Sequence, residues 1–546
     1  MRSRDTHPHS PHGTLGLLLA VAAAALTACA PGETPSASSA DGGRSAFHRG
    51  NGAEPDTLDP HRSEETAAAA ILRDLYEGLV TESADSKLMP GAAASWEMSD
   101  DGLVYTFRLR GDARWSNGDP VVAEDFVAGL RRAVDPATAS SYAQILYPIA
   151  NAEAVVKGEL PPDELGIAAL DERTVEIRVR APTPYLLSLL THSTTYPIHR
   201  PSLAEHGERF ARPGTLVSNG AYRLEEWIVQ SHVELARNEH YWGRDSVQIE
   251  QVFYYPIEDR ESELSRYRAG ELDFTIRIPD SRFDWIQENL ADELHVAPSL
   301  WVYFYAFDLT EPPFDDVRLR QALTMAVDRK IIVEQVTGAG ELPAFSLVPP
   351  GVEGGVPYDY PWSGLPDDER VAEARRLYRE AGYGPDNPLR VEIRYNTDDN
   401  HQRIAVAVAA MWRQALGVEA SLLNEEWKVM LQNRHNPALW DVIRFGWAGD
   451  YNDPFTFLEI FHSSHGQNFF GFSSPEYDGL LESAAGEADT RTRSRLLHEA
   501  EQRLLEEYPV LPLYFYVSKH LVKPYVAGFE PNIMDRNYTR HYRIER

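Results

Sequence analysis

Two hydrophobic periods alternate along the chain and predict a mixture of strands and helices. Apolar and polar residues alternate through 103–110 and 174–180, which is typical of strands buried on one face. In 368–381 the apolar residues recur at spacings of three and four, so that Ala374 and Leu377 share one face of a predicted helix. The mixture therefore predicts an α/β architecture.

The same patterns predict the remaining elements of the globular part of the chain, which begins near Phe47. Two predicted strands, 389–395 and 419–423, flank a predicted helix at 401–416, which indicates a βαβ unit. Further strands are predicted at 221–238, 252–256, 302–307 and 510–517, and further helices at 261–269, 317–328 and 492–507.

The stretch from Phe445 to Pro454 combines glycines, aromatic residues and carboxylates directly after a short apolar run. Gly446 and Gly449 permit the close approach of a ligand or another backbone. A carboxylate in such surroundings, here Asp450, must pair with a cation or accept hydrogen bonds. Two interpretations remain open from these residues alone: Asp450 receives a ligand ammonium beside an open strand edge, or it belongs to an acidic turn after a buried strand.

Length and charge limit the classes of function that fit the chain. At 546 residues, and with about 150 residues in a typical domain, three or four domains are expected. Hydrophobic residues make up 43% of the chain, which is ample for large cores. The formal net charge of −31 disfavours nonspecific binding of nucleic acid through basic patches, and it suits a soluble protein that steers cationic ligands.

The amino-terminal segment predicts export. Arg2 and Arg4 precede an apolar run over 15–26, which is too short for a permanent membrane helix of about 20 residues. A charged start, a short apolar run and a small-residue cleavage site are the parts of a secretory signal, assigned here to residues 1–28.

Cys29, the single cysteine of the chain, follows Leu-Thr-Ala and looks like the acylated residue of a bacterial lipobox. We therefore expect lipid anchoring at Cys29, in the periplasm or on the outer face of the cell membrane, with two acyl chains for a stable anchor. Residues 29–45 are rich in Pro, Ser, Gly and Ala and are expected to form a flexible tether. No intrachain disulfide is possible with one cysteine.

The stretch from Trp447 to Asn452 resembles the GW-x-A-D-Y-N signature of the oligopeptide-binding proteins that serve ABC importers, the extracellular solute-binding proteins of family 5. The resemblance extends from about Asn51 to about Tyr542. Its other motifs occur in the family's order at 54–60, 74–79, 115–121, 219–222, 237–242, 318–323, 395–397 and 537–540.

The resemblance implies a two-lobed periplasmic-binding-protein-like fold of class II, with an inserted domain and therefore three domains in all. Lobe I would consist of the discontinuous segments 46–75, 198–300 and 515–546. The inserted domain II would span 76–197, and lobe III would span 301–514. The ligand would lie between the two lobes when they close.

By resemblance, Asp450 binds the ammonium of a peptide, and two chain edges bind the peptide backbone. One edge is the strand that ends at Ala448 and the other is the segment 64–66, while aromatic side chains line the side-chain pockets. Arg444, Arg434 and His401 would supply cations for the peptide carboxylate, because a guanidinium fork matches a carboxylate. The ligand-site residues implied in this way are Glu64, Thr66, Tyr142, His401, Trp427, Arg434, Arg444, Gly446, Trp447, Ala448 and Asp450.

One feature departs from the family pattern. The lysine that the family carries in one of its helices has no counterpart in 283–288, so the range of peptide lengths cannot be carried over from the resemblance.

The predicted function is a monomeric receptor that binds short peptides and delivers them to a membrane permease, without catalysis, cofactor, metal or nucleic acid. An alternative keeps the scaffold and changes the cargo to a murein tripeptide, a dipeptide, a nickel chelate or haem. A secreted peptide hydrolase would need a nucleophile with its base, or a metal cluster. His462 and His465 lack the glutamate of a zinc-protease helix and are expected in a loop.

Overall fold

The predicted alternation of strands and helices is confirmed in the computed structural model, which describes residues 45–63, 66–425 and 427–545. At Trp427, Lys428 and Leu431 it describes the backbone alone. The predicted signal peptide, residues 29–44 of the predicted tether (with Cys29), and Glu64 lie outside the described residues.

Most strands in the described ranges are short, and two exceed ten residues. The strands are β1 (Ala46–Gly50), β2 (Val80–Glu82), β3 (Leu88–Pro90), β4 (Ala93–Met98), β5 (Val104–Leu109), β6 (Ile167–Asp171), β7 (Thr174–Arg178), β8 (Tyr222–Ile228), β9 (His232–Arg237), β10 (Gln251–Tyr255), β11 (Leu294–Phe307), β12 (Leu342–Pro343), β13 (Arg390–Asn396), β14 (Glu419–Glu425), β15 (Val442–Ala448), β16 (Val510–Leu521), β17 (Val526–Ala527) and β18 (Arg543–Ile544).

The α-helices of the described part lie between these strands. They are α1 (Thr66–Leu75), α2 (Ala123–Val134), α3 (Ala152–Val156), α4 (Leu186–Leu189), α5 (Arg200–His206), α6 (Arg260–Arg268), α7 (Phe283–Asn289), α8 (Val317–Met325), α9 (Arg329–Ile331), α10 (Asp367–Glu380), α11 (Asp399–Leu416), α12 (Trp427–Asn433), α13 (Phe455–Leu458), α14 (Pro475–Ala485) and α15 (Thr490–Glu506). No helix in these ranges has both the length and the apolar character needed to cross a membrane.

Three larger sheets organise the described chain. Their strand orders are β1-β10-β9-β8, β4-β5-β7-β6 and β12-β16-β11-β15-β13-β14. The predicted βαβ unit is confirmed, because β13 and β14 pair in parallel on either side of α11 in sequence. The Asp398 side chain accepts the N–H groups of Asn400 and His401 at the start of α11, and Gly417 ends the helix at φ 80°.

Two large hydrophobic cores account for most buried side chains. One draws on residues between Leu300 and Phe515, and the other on residues between Phe47 and Phe274 together with a few carboxyl-terminal ones. The aromatic run at the end of β11 is wholly buried because β16 and β15 pair with its two edges and the core covers both faces. Each large apolar side chain buried in this way contributes roughly 1.5–3 kcal/mol.

One predicted strand was wrong in its extent. The segment 221–238 forms two antiparallel strands, β8 and β9, joined by a turn in which Gln230 has φ 60°. The backbone N–H of Gln230 donates to Glu54 Oε2 at 2.9 Å, so a distant residue supports the turn. No glycine marks this turn in the sequence, which explains the missed break.

Candidate ligand-binding site

A cavity of about 1150 Å³ lies where α1, the middle of β11, β15, β16 and the carboxyl-terminal segment meet. A break in register brings β11 and β16 to it: Pro298 pairs with Val517, yet Val302 pairs with Phe515. The extra residues bulge from the ladder, and bulges of this kind often lie beside functional sites. Ser299, Leu300, Trp301 and Tyr516 at the break all line the cavity.

One edge of β15 is open along the part that reaches the cavity. β15 pairs with β11 over its whole length, from Val442 opposite Phe307 to Ala448 opposite Trp301. On its other side, pairing with β13 is confined to Val442 and Ile443 among the described residues. From Arg444 to Ala448 the strand can therefore accept another extended chain.

Gly446 lies in the middle of this open stretch. A Cβ atom at that position would lie 3.1 Å from the carbonyl oxygen of Val302, closer than side-chain carbons normally approach. The absence of a side chain keeps β15 flat against β11 and leaves the backbone accessible.

Asp450 follows the open strand, next to Gly449, which lines the cavity. Its side chain is exposed, and its carboxylate has no hydrogen bond or ion pair with any residue that the structure describes. Its backbone N–H donates to Thr456 Oγ1 at 3.3 Å. Although the residue is open to solvent on one side, the protein atoms around its carboxylate displace part of the hydration water. This desolvation raises the pKa of Asp450 to about 6, and the positive charge of Arg536 opposes the rise.

Asp453 in the same loop has the opposite environment. Its two carboxylate oxygens accept hydrogen bonds from Arg493 at 2.5 and 2.9 Å, and both side chains are buried. The Asp453 carboxylate thus stabilises the loop, whereas the Asp450 carboxylate remains unpaired among the described residues. This contrast favours the ligand-anchor interpretation of Asp450 over the acidic-turn interpretation.

Aromatic and acidic side chains behind Asp450 fix the loop. The Tyr451 hydroxyl donates to Glu459 Oε1 at 2.8 Å, and the Tyr451 ring stacks on Tyr185 at 4.4 Å between ring centroids. Burial raises the pKa of Glu459 to about 7, and the nearby charge of Asp450 contributes to the rise. No local sequence pattern indicates this support, because Tyr185 and Glu459 are far apart in the chain.

Arg444 provides a cation in the cavity without a carboxylate partner. Its guanidinium donates to the Tyr516 hydroxyl at 3.3 Å and to Asn396 Oδ1 at 3.4 Å, and it lies 4.9 Å from the ring centre of Tyr303. No ion pair of the described residues includes Arg444, and its Nε is buried without a partner. Burial acts to lower the pKa of Arg444, but Tyr516, Tyr303 and Tyr514 outweigh it and raise the pKa.

His401 also lines the cavity, beside Tyr303 at 5.4 Å between ring centroids. Burial and the charge of Arg444 lower the pKa of His401 to about 4, although Asp398 opposes the change. The imidazole is therefore neutral at pH 7 in the free protein, which differs from the expected cation. It can still exchange a hydrogen bond with a carboxylate.

The other predicted residues divide into two groups. Thr66, exposed at the start of α1, and Tyr142, whose ring centroid lies 5.2 Å from that of His192, line the cavity. Arg434 does not line it and instead faces the rings of Phe445 and Phe469 at 5.6 and 5.5 Å.

Of the two predicted tryptophans, Trp447 does not line the cavity. Trp447 packs against the larger core, and its indole N–H is buried without a partner. Trp427 begins α12, and its side chain is not described.

Several charged and aromatic lining residues were not predicted. Trp301 and Tyr516 form an edge-to-face pair at 5.8 Å, and Lys519 pairs with Asp280 at 2.9 Å and with Glu341 at 3.2 Å. The aromatic character of β11 and β16 was a signal for Trp301 and Tyr516. No local signal marks Lys519, because its partners are distant in sequence.

A group outside the cavity also holds potential metal ligands. Glu226, His232 and Glu234, on β8 and β9, have ligand atoms within 4.8 Å of one another. These three residues were not among the predicted site residues. Exposed acidic groups of this kind are common in proteins that hold no ion there.

Comparison with known proteins shows extensive similarity. The family model for "Bacterial extracellular solute-binding proteins, family 5 Middle" matches residues 87–469. The periplasmic oligopeptide-binding protein OppA of Escherichia coli K12 is 39% identical over 500 residues, which cover 91% of this chain and 92% of that protein.

Solved structures give the same result. The unliganded open form of the periplasmic murein tripeptide-binding protein MppA aligns with a TM-score of 0.85 and 36% identity, covering 92% of this chain and 98% of that one. Haemophilus influenzae OppA in complex with the peptide RPPGFSPFR aligns with a TM-score of 0.74 and 36% identity, covering 92% and 99%. This chain therefore belongs to family 5 of the bacterial extracellular solute-binding proteins and has the two-lobed α/β fold of that family.

Proposed function

We propose that this protein is the substrate-binding receptor of an ABC importer and captures short peptides in extended form between its lobes. The observation that carries the proposal is the pair of unpaired charges on β15 and its following loop, Asp450 and Arg444. A free peptide carries the complementary charges at its two ends. Relatives named for binding oligopeptides support this assignment.

The length of a short peptide fits the open edge of β15. The four steps from Arg444 to Ala448 span roughly 13 Å of extended chain. An extended peptide of three to five residues spans roughly 7 to 13 Å between its terminal Cα atoms. With its ammonium at Asp450 and its carboxylate at Arg444, the peptide runs antiparallel to β15.

Affinity on this account comes mainly from groups that every peptide shares. The open edge of β15 offers backbone hydrogen bonds, and the two charges bind the termini. The cavity of about 1150 Å³ exceeds the usual range for sites of small ligands, about 300–1,000 Å³. Side chains can therefore be accommodated together with bridging water, which makes binding largely independent of peptide sequence.

Binding closes the lobes and prepares delivery to a membrane permease. The fit to the unliganded open form of a relative, with a TM-score of 0.85, supports an open state for the free receptor. A peptide that contacts both lobes binds the closed state more tightly than the open state. This difference in affinity determines how far the peptide shifts the equilibrium towards the closed state. No bond is broken in this cycle, so the protein acts as a receptor and not as an enzyme.

The domain boundaries proposed here follow the sequence prediction: 46–75, 198–300 and 515–546 for lobe I, 76–197 for domain II and 301–514 for lobe III. The larger core, drawn from Leu300 to Phe515, supports the limits of lobe III. The long paired strands β11 and β16 run between the lobes and provide the hinge.

Native mass spectrometry of protein purified without denaturation tests the proposal. We expect a co-purified ligand that matches peptides with free termini and is released intact. Released fragments of added peptides would indicate a hydrolase. A nickel chelate or haem in place of peptide would contradict the proposal, whereas a γ-linked murein tripeptide would narrow it to that peptide class.

A further inference from the structure

Arg73 faces the cavity from α1. Thr66, Ala69, Ala70 and Arg73 all line the cavity, and their spacing of three, four and seven residues places them on one face of the helix. Arg73 is the charged residue on this face, and the residues that precede it there are small. Its guanidinium therefore meets the ligand space directly.

The guanidinium of Arg73 has no protein partner. Within residues 45–63, 66–425 and 427–545 it makes no hydrogen bond or ion pair, and its Nε is shielded from solvent without an acceptor. Two other cations of the cavity do have carboxylate partners: Lys519 pairs with Asp280 and Glu341, and Arg536 pairs with Glu82 at 2.9 Å. A shielded donor without an acceptor is unfavourable, so Arg73 has much to gain from a ligand carboxylate.

The nearby carboxylate of Asp535 interacts electrostatically with Arg73 but forms no ion pair with it among the described residues. Its Oδ1 lies 2.6 Å from His520 Nε2 and accepts a hydrogen bond from Asn537 at 3.1 Å. Burial, reinforced by the charges of Arg536 and Arg73, lowers the pKa of His192 to about 3, so this imidazole is neutral. Arg73 therefore keeps its charge without an ion-pair partner among the described residues.

We propose that Arg73 is a specificity-determining residue that binds a carboxylate in the interior of the peptide, so that the receptor prefers peptides with an acidic side chain over neutral peptides of the same length. Arg444 remains the partner of the terminal carboxylate. The planar fork of Arg73 can donate two parallel hydrogen bonds to a carboxylate. The inference rests on the proposed peptide-binding function.

Isothermal titration calorimetry with matched tetrapeptides tests it. Glu or Gln is placed at the second or third position of an otherwise all-alanine peptide, so that size stays constant and charge changes. We expect the wild-type protein to bind the Glu peptide roughly tenfold more tightly than the Gln peptide at one of these positions. Amidation of the peptide carboxyl terminus should leave this ratio unchanged.

Three variants identify the source of the preference. In Arg73→Gln the ratio should fall to about one while affinity for the Gln peptide is retained, and in Arg73→Lys it should be intermediate because the charge remains without the fork. Arg62→Gln is the matched control, since Arg62 precedes the same helix, is exposed and pairs with Glu208 at 3.4 Å. This control should keep the full ratio.

Two results would overturn the inference in distinguishable ways. Equal affinity for Glu and Gln peptides in the wild-type protein, or an equal loss for both in Arg73→Gln, would remove Arg73 as a specificity residue and leave the receptor intact. Failure of every tetrapeptide to bind folded wild-type protein would contradict the peptide-binding function itself.

Discussion

Asp450 and Asp453 are separated by only two residues, yet the fold places them in opposite environments. Asp453 forms a buried, two-bonded ion pair with Arg493, whereas Asp450 is exposed without a described partner. Sequence similarity pointed to Asp450 and Arg444, because both lie within or beside a recognisable motif. Arg73 was not predicted. An arginine on a helix normally pairs with a carboxylate, and the local sequence does not reveal that Arg73 lacks such a partner.

The first prediction concerns the pH dependence of peptide binding. The pKa of Asp450 is about 6 in the free protein, and a bound ammonium stabilises the charged carboxylate and lowers that pKa. Binding therefore requires loss of a proton below pH 6, so affinity falls as the pH falls. Between pH 7 and pH 5 we expect a loss of about tenfold, measured by calorimetry with one tripeptide. Asp450→Asn should show no such loss of affinity between pH 7 and pH 5. An equal loss in that variant would show that another group is responsible for the pH dependence.

The second prediction concerns the ion pair between Asp453 and Arg493. Asp453→Ala leaves the guanidinium of Arg493 buried without its partner, and breaking a buried pair in this way costs about 3–5 kcal/mol. We expect a clear fall in the urea midpoint of unfolding. Asp245→Ala, at a fully exposed side chain, should leave the midpoint unchanged. Equal midpoints for both variants would show that the pair does not support the loop.

At the scale of elements, local periodicity was sufficient where a segment has one strong pattern. The unit of β13, α11 and β14 was predicted nearly to its ends, because strand alternation and a long amphipathic helix agree there. The full length of β11 and its pairing with β16 were not predicted. These segments are about two hundred residues apart, and the bulge that forms the cavity wall depends on their register.

The third prediction tests the open edge of β15. We assume that a bound peptide pairs with residues 444–448 of β15. N-methylation of a peptide N–H group that faces β15 then removes a hydrogen bond and places a methyl group against the strand. We expect roughly tenfold weaker binding at positions that face β15, measured by calorimetry on a tetrapeptide methylated one residue at a time. Uniform tolerance of methylation at every interior position would contradict backbone pairing.

At the scale of the whole molecule, similarity over most of the chain established the family and the fold. The two lobes could not have been derived from periodicity alone, because the proposed lobe I draws on segments that are distant in sequence. Export and lipid attachment depend on residues outside the described part, and they stay predictions.

The fourth prediction concerns the anchor. Protein processed and acylated at Cys29 should partition into the detergent phase, because two acyl chains give stable attachment. A variant that begins at residue 45 should remain in the aqueous phase and still bind peptide, since the cavity lies wholly within the residues that it retains. Recovery of the full-length protein, expressed in its bacterial host, from the aqueous phase would contradict lipid anchoring.

The most direct test of the central claim is a cycle that changes Asp450 and the peptide amino group separately and together. Affinities of the wild-type protein and Asp450→Asn are measured by calorimetry for trialanine and for N-acetyl-trialanine, with Asp245→Asn as the exposed-charge control. Either single change should weaken binding about 100-fold, because a hydrogen-bonded charge pair in a half-enclosed site contributes roughly 2–5 kcal/mol. Combining both changes should add little further loss. Fully additive losses, or unchanged affinity of Asp450→Asn for trialanine, would show that this carboxylate does not bind the peptide ammonium.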